Sequence, residues 1–475
     1  MRANEIVMMK KMQMRNITLM KRGMPLFVAV VAMLLMAAGE AYGLRGAWRG
    51  ELPVGQMKLP LVFSFTEDAA GQTHCTLASP AQGVEGLPCE VEMSTGNAVS
   101  LTCNAIGASY QGNITTGLIV GTFSQRGYSF PLVLSPESPV EDRRPQTPRP
   151  PFPYQTIDTT FTAPDGAVMA ATLTLPASIS PGAKVPAVVM VTGSGPQNRD
   201  EEIFEHKPFA VIADCLARNG IASLRYDDRG TGKSTGDFRS ATTATFKDDA
   251  LSGIRFLRGM ASVGTVGVLG HSEGGTIAFM IGAGGEADFV ISLAGMAESG
   301  KETLMRQNRH GLASLPLPAA AVENSLSLID KLFDTIAGQA RNGVSAPIDV
   351  DSIARASGLH VPEEIMASIR ATQQVRTPWF DAFVILDPAD YLKQIRCPIL
   401  AVNGEKDTQV HPDNLTVIQQ LAPQAEVLRM PGLNHLLQHA VTGGVSEYGT
   451  IRETISPEVL DAIVRFIRTG VHAGS

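Results

Sequence analysis

Residues 263–275 read Val-Gly-Thr-Val-Gly-Val-Leu-Gly-His-Ser-Glu-Gly-Gly. A strand-like run, 263–269, leads into Gly270-His271-Ser272-Glu273-Gly274, and a helical stretch follows over 274–282. The Gly-x-Ser-x-Gly pentapeptide is common. Between a strand and a helix, however, it predicts a sharp turn that holds the serine in a strained backbone conformation. The flanking glycines then let neighbouring backbone pass without a Cβ clash. Ser272 would stand at a helix N-terminus, where amide dipoles favour developing negative charge. The plainer reading is a glycine-rich turn with an incidental serine.

The surroundings supply the context. Strands are predicted at 156–161, 168–175, 186–191, 221–226, 263–269, 289–293, 399–403 and 425–430. Helices fall between them at 204–219, 245–260, 274–282 and 413–421, with a last one at 457–468. Buried strands alternating with helices imply an α/β fold: a mostly parallel sheet with helices on both faces. The interval 296–388 breaks the rhythm, with helical stretches and no clear strand, and reads as an inserted helical lid. The catalytic unit is therefore expected to span 154–475.

Upstream, residues 135–153 hold seven prolines in 19 positions. Such a stretch reads as an extended, semi-rigid linker. Residues 44–134 show short strand-like runs punctuated by Gly, Asn, Asp and Ser, which predicts a small antiparallel β domain of about eight strands, a sandwich or a barrel. It carries no cluster of acids, bases or metal ligands, so its expected role is binding or packing. Residues 1–43 join a basic stretch to an apolar run at 25–38, with Ala41 and Gly43 at −3 and −1 of a cut before Leu44. This is a signal-peptide pattern, and it predicts an exported protein, periplasmic or extracellular. The run is short for a membrane span, which needs about 20 apolar residues; an uncleaved anchor is the alternative.

Composition narrows the function. The 475 residues are 44% hydrophobic and 18% charged, which excludes a disordered chain. Net charge is −7; the first 43 residues contribute +4, leaving −11 for the rest. A nucleic-acid binder relying on bulk positive charge is excluded. No further run is long enough to give an integral membrane segment after signal cleavage. Cys75, Cys89 and Cys103 lie 14 residues apart. One disulfide among them suits an oxidising compartment and leaves one cysteine over; three small buried thiols suit the spacing equally.

A serine nucleophile needs a base, and the base needs an orienting acid. Among the histidines after Ser272, His435 lies in Met430-Pro431-Gly432-Leu433-Asn434-His435, directly after the last strand and at the same sheet edge as the serine. His439 is the alternative. The strand 399–403 runs into Gly404-Glu405-Lys406-Asp407, which makes Asp407 the acid, with Glu405 and Asp413 as alternatives. For the oxyanion, the amides of Glu273 and of Ser194, in Thr192-Gly193-Ser194-Gly195-Pro196, are the expected donors. Arg199, in the adjoining polar cluster, either lines the pocket or braces the loop. Trp379 and Phe380 either line an acyl pocket or pack the lid core. Gly230-Thr231-Gly232-Lys233-Ser234 mimics the tail of a phosphate loop, but the motif's first glycine would fall on Asp227. No histidine–carboxylate spacing suggests a metal site.

With these residues in place the chain resembles the α/β-hydrolase superfamily, and within it the bacterial exported carboxylesterases and serine aminopeptidase-like hydrolases with an N-terminal β domain. The resemblance covers about 154–470 and rests on 193–201 (GSGPQNRDE), 227–236 (DDRGTGKSTG), 270–275 (GHSEGG), 403–410 (NGEKDTQV) and 432–435 (GLNH). It implies Ser272, Asp407 and His435 in the roles just given, no cofactor, and a small-molecule ester as substrate. One departure is Thr192, where many relatives carry a histidine before the oxyanion Gly-Ser. The expected activity is carboxylic ester hydrolysis through an acyl-enzyme. The rivals are an aminopeptidase, with Glu298 or Glu302 taking a substrate amine, a thioesterase, and a catalytically decayed binding protein. The sequence leaves the oligomeric state open.

Overall fold

The computed structural model describes residues 44–470 apart from breaks at 55–56, 69–70, 83, 94–96, 116, 126, 138–142 and 375. The expected signal segment, 1–43, lies outside the described residues. Eight antiparallel strands come first: β1 (Gly46–Val54), β2 (Met57–Glu67), β3 (Thr73–Ser79), β4 (Val84–Met93), β5 (Ala98–Cys103), β6 (Ala108–Thr115), β7 (Leu118–Gln125) and β8 (Tyr128–Pro136). Each pairs with the next, and β8 returns to β1 to close a barrel. Along β5 buried and half-buried residues alternate, because successive side chains point to opposite faces. The inward set, including Phe63, Phe65, Leu101, Tyr110 and Leu134, fills the interior.

Cys75, Cys89 and Cys103 stand on three adjacent strands, with Cys75 directly across from Cys89. Cys89 and Cys103 form the disulfide. Cys75 is the one left over, and burial pushes its thiol up to about 12.

The second unit is built on an eight-stranded sheet from β9 (Gln155–Thr162), β10 (Val168–Leu175), β11 (Val185–Val191), β12 (Ala222–Tyr226), β13 (Val263–His271), β14 (Val290–Leu293), β15 (Ile399–Gly404) and β16 (Glu426–Met430). Its order is β16-β15-β14-β13-β11-β12-β10-β9. β10 is antiparallel to both of its neighbours, β9 and β12, and the remaining pairings are parallel. Helices α1 (Pro208–Arg218), α2 (Thr243–Arg258) and α3 (Glu273–Ala283) follow β11, β12 and β13. Between β14 and β15 the described residues are helical: α4 (Gly300–Ala313), α5 (Ala319–Arg341), α6 (Val350–Ala356), α7 (Glu363–Gln374), α8 (Pro378–Ile385) and α9 (Ala389–Leu392). This is the inserted lid, and much of it shares an apolar core of its own around Leu328, Phe333 and Ile336. Helices α10 (Asn414–Leu421) and α11 (Pro457–Gly470) complete the unit. One core cluster joins α2, α3 and α10 to one face of the sheet; another joins α1 and α11 to the opposite face. The architecture is that of an α/β-hydrolase preceded by a β-barrel. No helix among the described residues is long and apolar enough to cross a membrane.

Two expectations change. The predicted helix 204–219 starts only at Pro208. Glu201, Phe204 and Glu205 have positive φ, and Ile203 pairs with His206 in an isolated bridge, so 201–206 is a tight loop instead. Where the sequence predicts an extended, semi-rigid linker, the described residues 143–146 are docked. Arg144 is 1% exposed, and all five of its N–H groups meet carbonyls: those of Phe204, Arg143, Ile451 and Gly449. Proline removes backbone donors; here an arginine side chain supplies the tie. Arg49 of β1 and Arg143 both reach Glu205, at 3.1 and 2.9 Å, and so join the barrel and the segment to the same loop. Replacing Arg144 by Met would leave those carbonyls without donors, each at a cost of about 1–3 kcal/mol. R144M is expected to lower the stability read by urea unfolding by roughly 3 kcal/mol or more; an unchanged midpoint would refute this account of the docking.

Candidate active site

Ser272 closes β13 and opens α3 with φ 54° and ψ −119°. A non-glycine residue with such a φ carries strain of order 1–3 kcal/mol. The turn survives because its neighbours are glycines. A β-carbon at position 270 would lie 1.9 Å from the Gly274 carbonyl oxygen, and one at 274 would lie 2.1 Å from that of Val191. The Ser272 amide donates to Leu293 O at 2.8 Å, which fixes the turn to β14. The loop after β11 closes over it: the place a Gly193 β-carbon would take is 3.1 Å from Ser272 Cβ.

Asp407 follows β15 and His435 follows β16. His435 Nδ1 lies 2.7 Å from Asp407 Oδ2, with both side chains almost fully buried. The other oxygen, Oδ1, accepts from the amides of Gln409 and Val410 at 2.8 and 2.9 Å. A carboxylate only accepts, so the imidazole donates through Nδ1, and in a neutral ring Nε2 is the acceptor. From β13 to β16 is three strand spacings, about 14 Å, so the loop 431–439 must reach back along the edge. It does so through Lys406, whose amide donates to Leu433 O, and through His271, whose Nε2 is 3.0 Å from His435 O. The rings of His271 and His435 stand 4.8 Å apart. The histidine loop thus touches the residue just before Ser272. Among the described residues Ser272 Oγ and His435 Nε2 each make no hydrogen bond, so the serine–histidine link is open in this arrangement. Catalytic hydrogen bonds are often long before substrate binds.

The other predicted residues divide. The amides of Ser194 and Glu273 donate to no protein group among the described residues, so both remain available to a ligand. Their side chains interact with each other: Ser194 Oγ donates to Glu273 Oε2 at 2.7 Å. Glu273 also accepts from Thr243 Oγ1 and from the indole of Trp379, at 2.6 and 2.8 Å. Burial raises the Glu273 carboxyl, against the pull of these three donors. Trp379 therefore belongs to the site, where it joins an apolar group with Met296, Phe383 and Val410. Phe380 turns away and packs on Phe333, 5.9 Å between ring centres, in the lid core. Arg199 makes a two-pronged bond to Asp227 and donates to Thr172 at 2.8 Å, which braces the loop. In the phosphate-loop mimic, Ser234 Oγ donates to Asp227 O and accepts from the Ala170 amide, which ties the segment to β10. His439 pairs with Glu453 at the surface, and Asp413 with Arg429, away from the Asp407–His435 pair.

Sequence reasoning missed the Glu201–His271 pair and one other residue. Glu201 Oε1 is 2.8 Å from the Gly193 amide and 2.9 Å from His271 Nδ1. Burial opposes a charge on His271, but the Glu201 carboxylate overrides it and lifts the imidazole to about 9. His271 sat in the quoted pentapeptide as an unremarked filler, and nothing in the linear spacing joins 201 to 271. Asp228 is the other: burial pushes it up to about 8, and it accepts from Thr192 Oγ1 and the Gln197 amide. That bond gives Thr192 a bracing role.

The chain is similar to several known proteins. Esterase EstD of Thermotoga maritima is 29% identical over 268 residues, 56% of this chain. The match spans 57% of that relative's length. Among solved structures, Est1E from Butyrivibrio proteoclasticus with bound ferulic acid aligns with 66% of this chain and 100% of its own, at 17% identity and a TM-score of 0.40. The α/β hydrolase GrgF from Penicillium sp. aligns with 67% of this chain and 99% of its own, at 16% identity and a TM-score of 0.43. The family model for X-Pro dipeptidyl-peptidase (S15 family) matches residues 165–439, more than half of the chain and a span that holds Ser272, Asp407 and His435. The chain therefore belongs to the S15 family of α/β-hydrolases.

Proposed function

We propose that this protein is an exported serine hydrolase that cleaves small carboxylic esters through an acyl-enzyme. The observation that carries the reading is the buried 2.7 Å contact between Asp407 and His435, at the sheet edge where the strained Ser272 turn stands. His435 Nε2 takes the Ser272 proton as Oγ attacks the ester carbonyl. Asp407 holds the ring tautomer and stabilises the imidazolium that forms. The oxyanion rests on the amides of Ser194 and Glu273, each typically worth about 3 kcal/mol. His435 then protonates the departing alcohol, and water attacks the acyl-enzyme with His435 again as base. The disulfide in the barrel and the signal pattern of 1–43 support export.

A second reading, a peptidase acting through the same triad, draws on the family match and on Glu273, a buried carboxylate with no cationic partner among the described residues. The lid carboxylates argue less for it. Glu298 is paired with Arg306, and Glu302 closes the capping box of α4. Nitrophenyl esters of graded acyl length, assayed beside X-Pro nitroanilides, separate the two.

Ser272→Ala should abolish ester turnover and labelling by a fluorophosphonate, and Asp407→Asn should cut kcat by about 10⁴-fold. Full activity in S272A would sink the assignment. Trp379→Phe deletes a donor to a buried carboxyl group, a bond worth about 1.5–3 kcal/mol. Its expected signature is a raised KM for long-acyl esters with a smaller change in kcat; a variant identical to wild type would return Trp379 to lid packing. For export, N-terminal sequencing of the secreted protein should read from Leu44; a full-length chain held in the cytoplasm would overturn that part.

A further inference from the structure

The residue before the proposed nucleophile has both ring nitrogens against oxygen atoms that only accept. His271 Nδ1 faces Glu201 Oε1 at 2.9 Å, and Nε2 faces the His435 carbonyl at 3.0 Å. A neutral imidazole carries one N–H and would leave one of these contacts as lone pair against lone pair. With Glu201 ionised, only the doubly protonated ring satisfies both. The same Glu201 oxygen accepts the Gly193 amide at 2.8 Å. One buried ion pair thus grips three segments: the oxyanion loop at Gly193, the strand end at His271 and the base-bearing loop at His435.

We propose that the Glu201–His271 ion pair is a positioning clamp, which holds the oxyanion loop and the His435 loop in register around Ser272 and acts through those loops without touching the substrate. It rests on the serine-hydrolase reading above. The loop that carries Glu201 is itself unusual. Glu201, Phe204 and Glu205 all take positive φ, and its far end is tied to Arg49 of the barrel and to Arg143 and Arg144 of the docked segment. Side chains without glycine's freedom stay in that region only where the surroundings hold them. The strain therefore marks a loop held for its position.

The charged groups facing His271 are Glu201 from the loop after β11, Asp407 from the loop after β15 and the His435 ring from the loop after β16. The folded ring's affinity for its proton is raised, so the charged form is full below neutral pH and is lost as pH rises through about 9. Above that point one grip opens and kcat should fall.

The experiment uses the full exported chain. Wild type is first tested for fluorophosphonate labelling at Ser272 and for ester turnover; failure there removes the hydrolase reading itself, and the clamp with it. In an active wild type, ¹⁵N-histidine spectra, assigned with His271→Gln, should show the His271 ring doubly protonated at pH 7 and titrating near 9. Glu201→Gln keeps an acceptor for Gly193 and removes the charge. Burial is then opposed only by the His435 carbonyl and Asp407; the ring is expected to become neutral at pH 7, and kcat to fall roughly 10- to 100-fold with KM changed far less. The alkaline limb of the kcat profile moves to lower pH. Near-ultraviolet circular dichroism and thermal melting of E201Q establish that it is folded. A neutral His271 ring in wild type at pH 7, or a folded E201Q with the wild-type kcat and pH profile, would overturn the clamp while leaving the hydrolase reading intact. Should E201Q fail to fold, the wild-type ring titration and the alkaline limb decide: both near 9 support the clamp, and a mismatch rejects it.

Discussion

The backbone at Ser272 is the constraint on which the rest depends. A serine with φ 54° is unfavourable alone. It persists because β13 is buried between β11 and β14, because its amide is tied to Leu293, and because positions 270 and 274 carry no β-carbon where carbonyls stand about 2 Å away. Any widening of that turn would move the hydroxyl, the Glu273 amide and the start of α3 together. The strain and the oriented amide come from the same geometry, so the turn is set before a ligand arrives.

The parallel sheet then does the assembling. Parallel strands put all their carboxyl ends on one edge, so the loops after β11, β13, β15 and β16 rise side by side. Side by side is not enough, since β16 lies about 14 Å from β13. The histidine loop bridges that span through buried polar contacts: Asn434 with Gln438, Lys406 with Leu433, and His271 with His435. The lid reaches the same edge through Trp379 and Glu273. The barrel is joined by Arg49 and Glu205 to the loop whose other end carries Glu201.

The parts legible in the sequence were those with a local cause. The strand Val168–Leu175 has the bounds its apolar pattern predicts, and the glycine-flanked serine sits where the strand–turn–helix pattern places it. The lid was visible as a loss of the strand–helix rhythm. The start of α1 was not, because the apolar residues of 203–209 mimic a helical face while Arg144 and His206 hold that segment in a tight loop. Trp379 and Phe380, adjacent and both aromatic, were indistinguishable in one dimension. Successive helical residues point about 100° apart, which sends the first to Glu273 and the second into the lid core.

The sequence alone determined the two-unit organisation, the α/β alternation and the position of the serine turn, because hydrophobic period, proline density and glycine placement act over a few residues. Only the tertiary structure decided that the small β unit closes into a filled barrel, that Cys89 bonds Cys103 rather than Cys75, and that Arg199 braces a loop while Glu201 grips His271. Those outcomes depend on which side chains meet across large separations in sequence. Burial then sets the energies, because a charge removed from water must find its partner at one definite place.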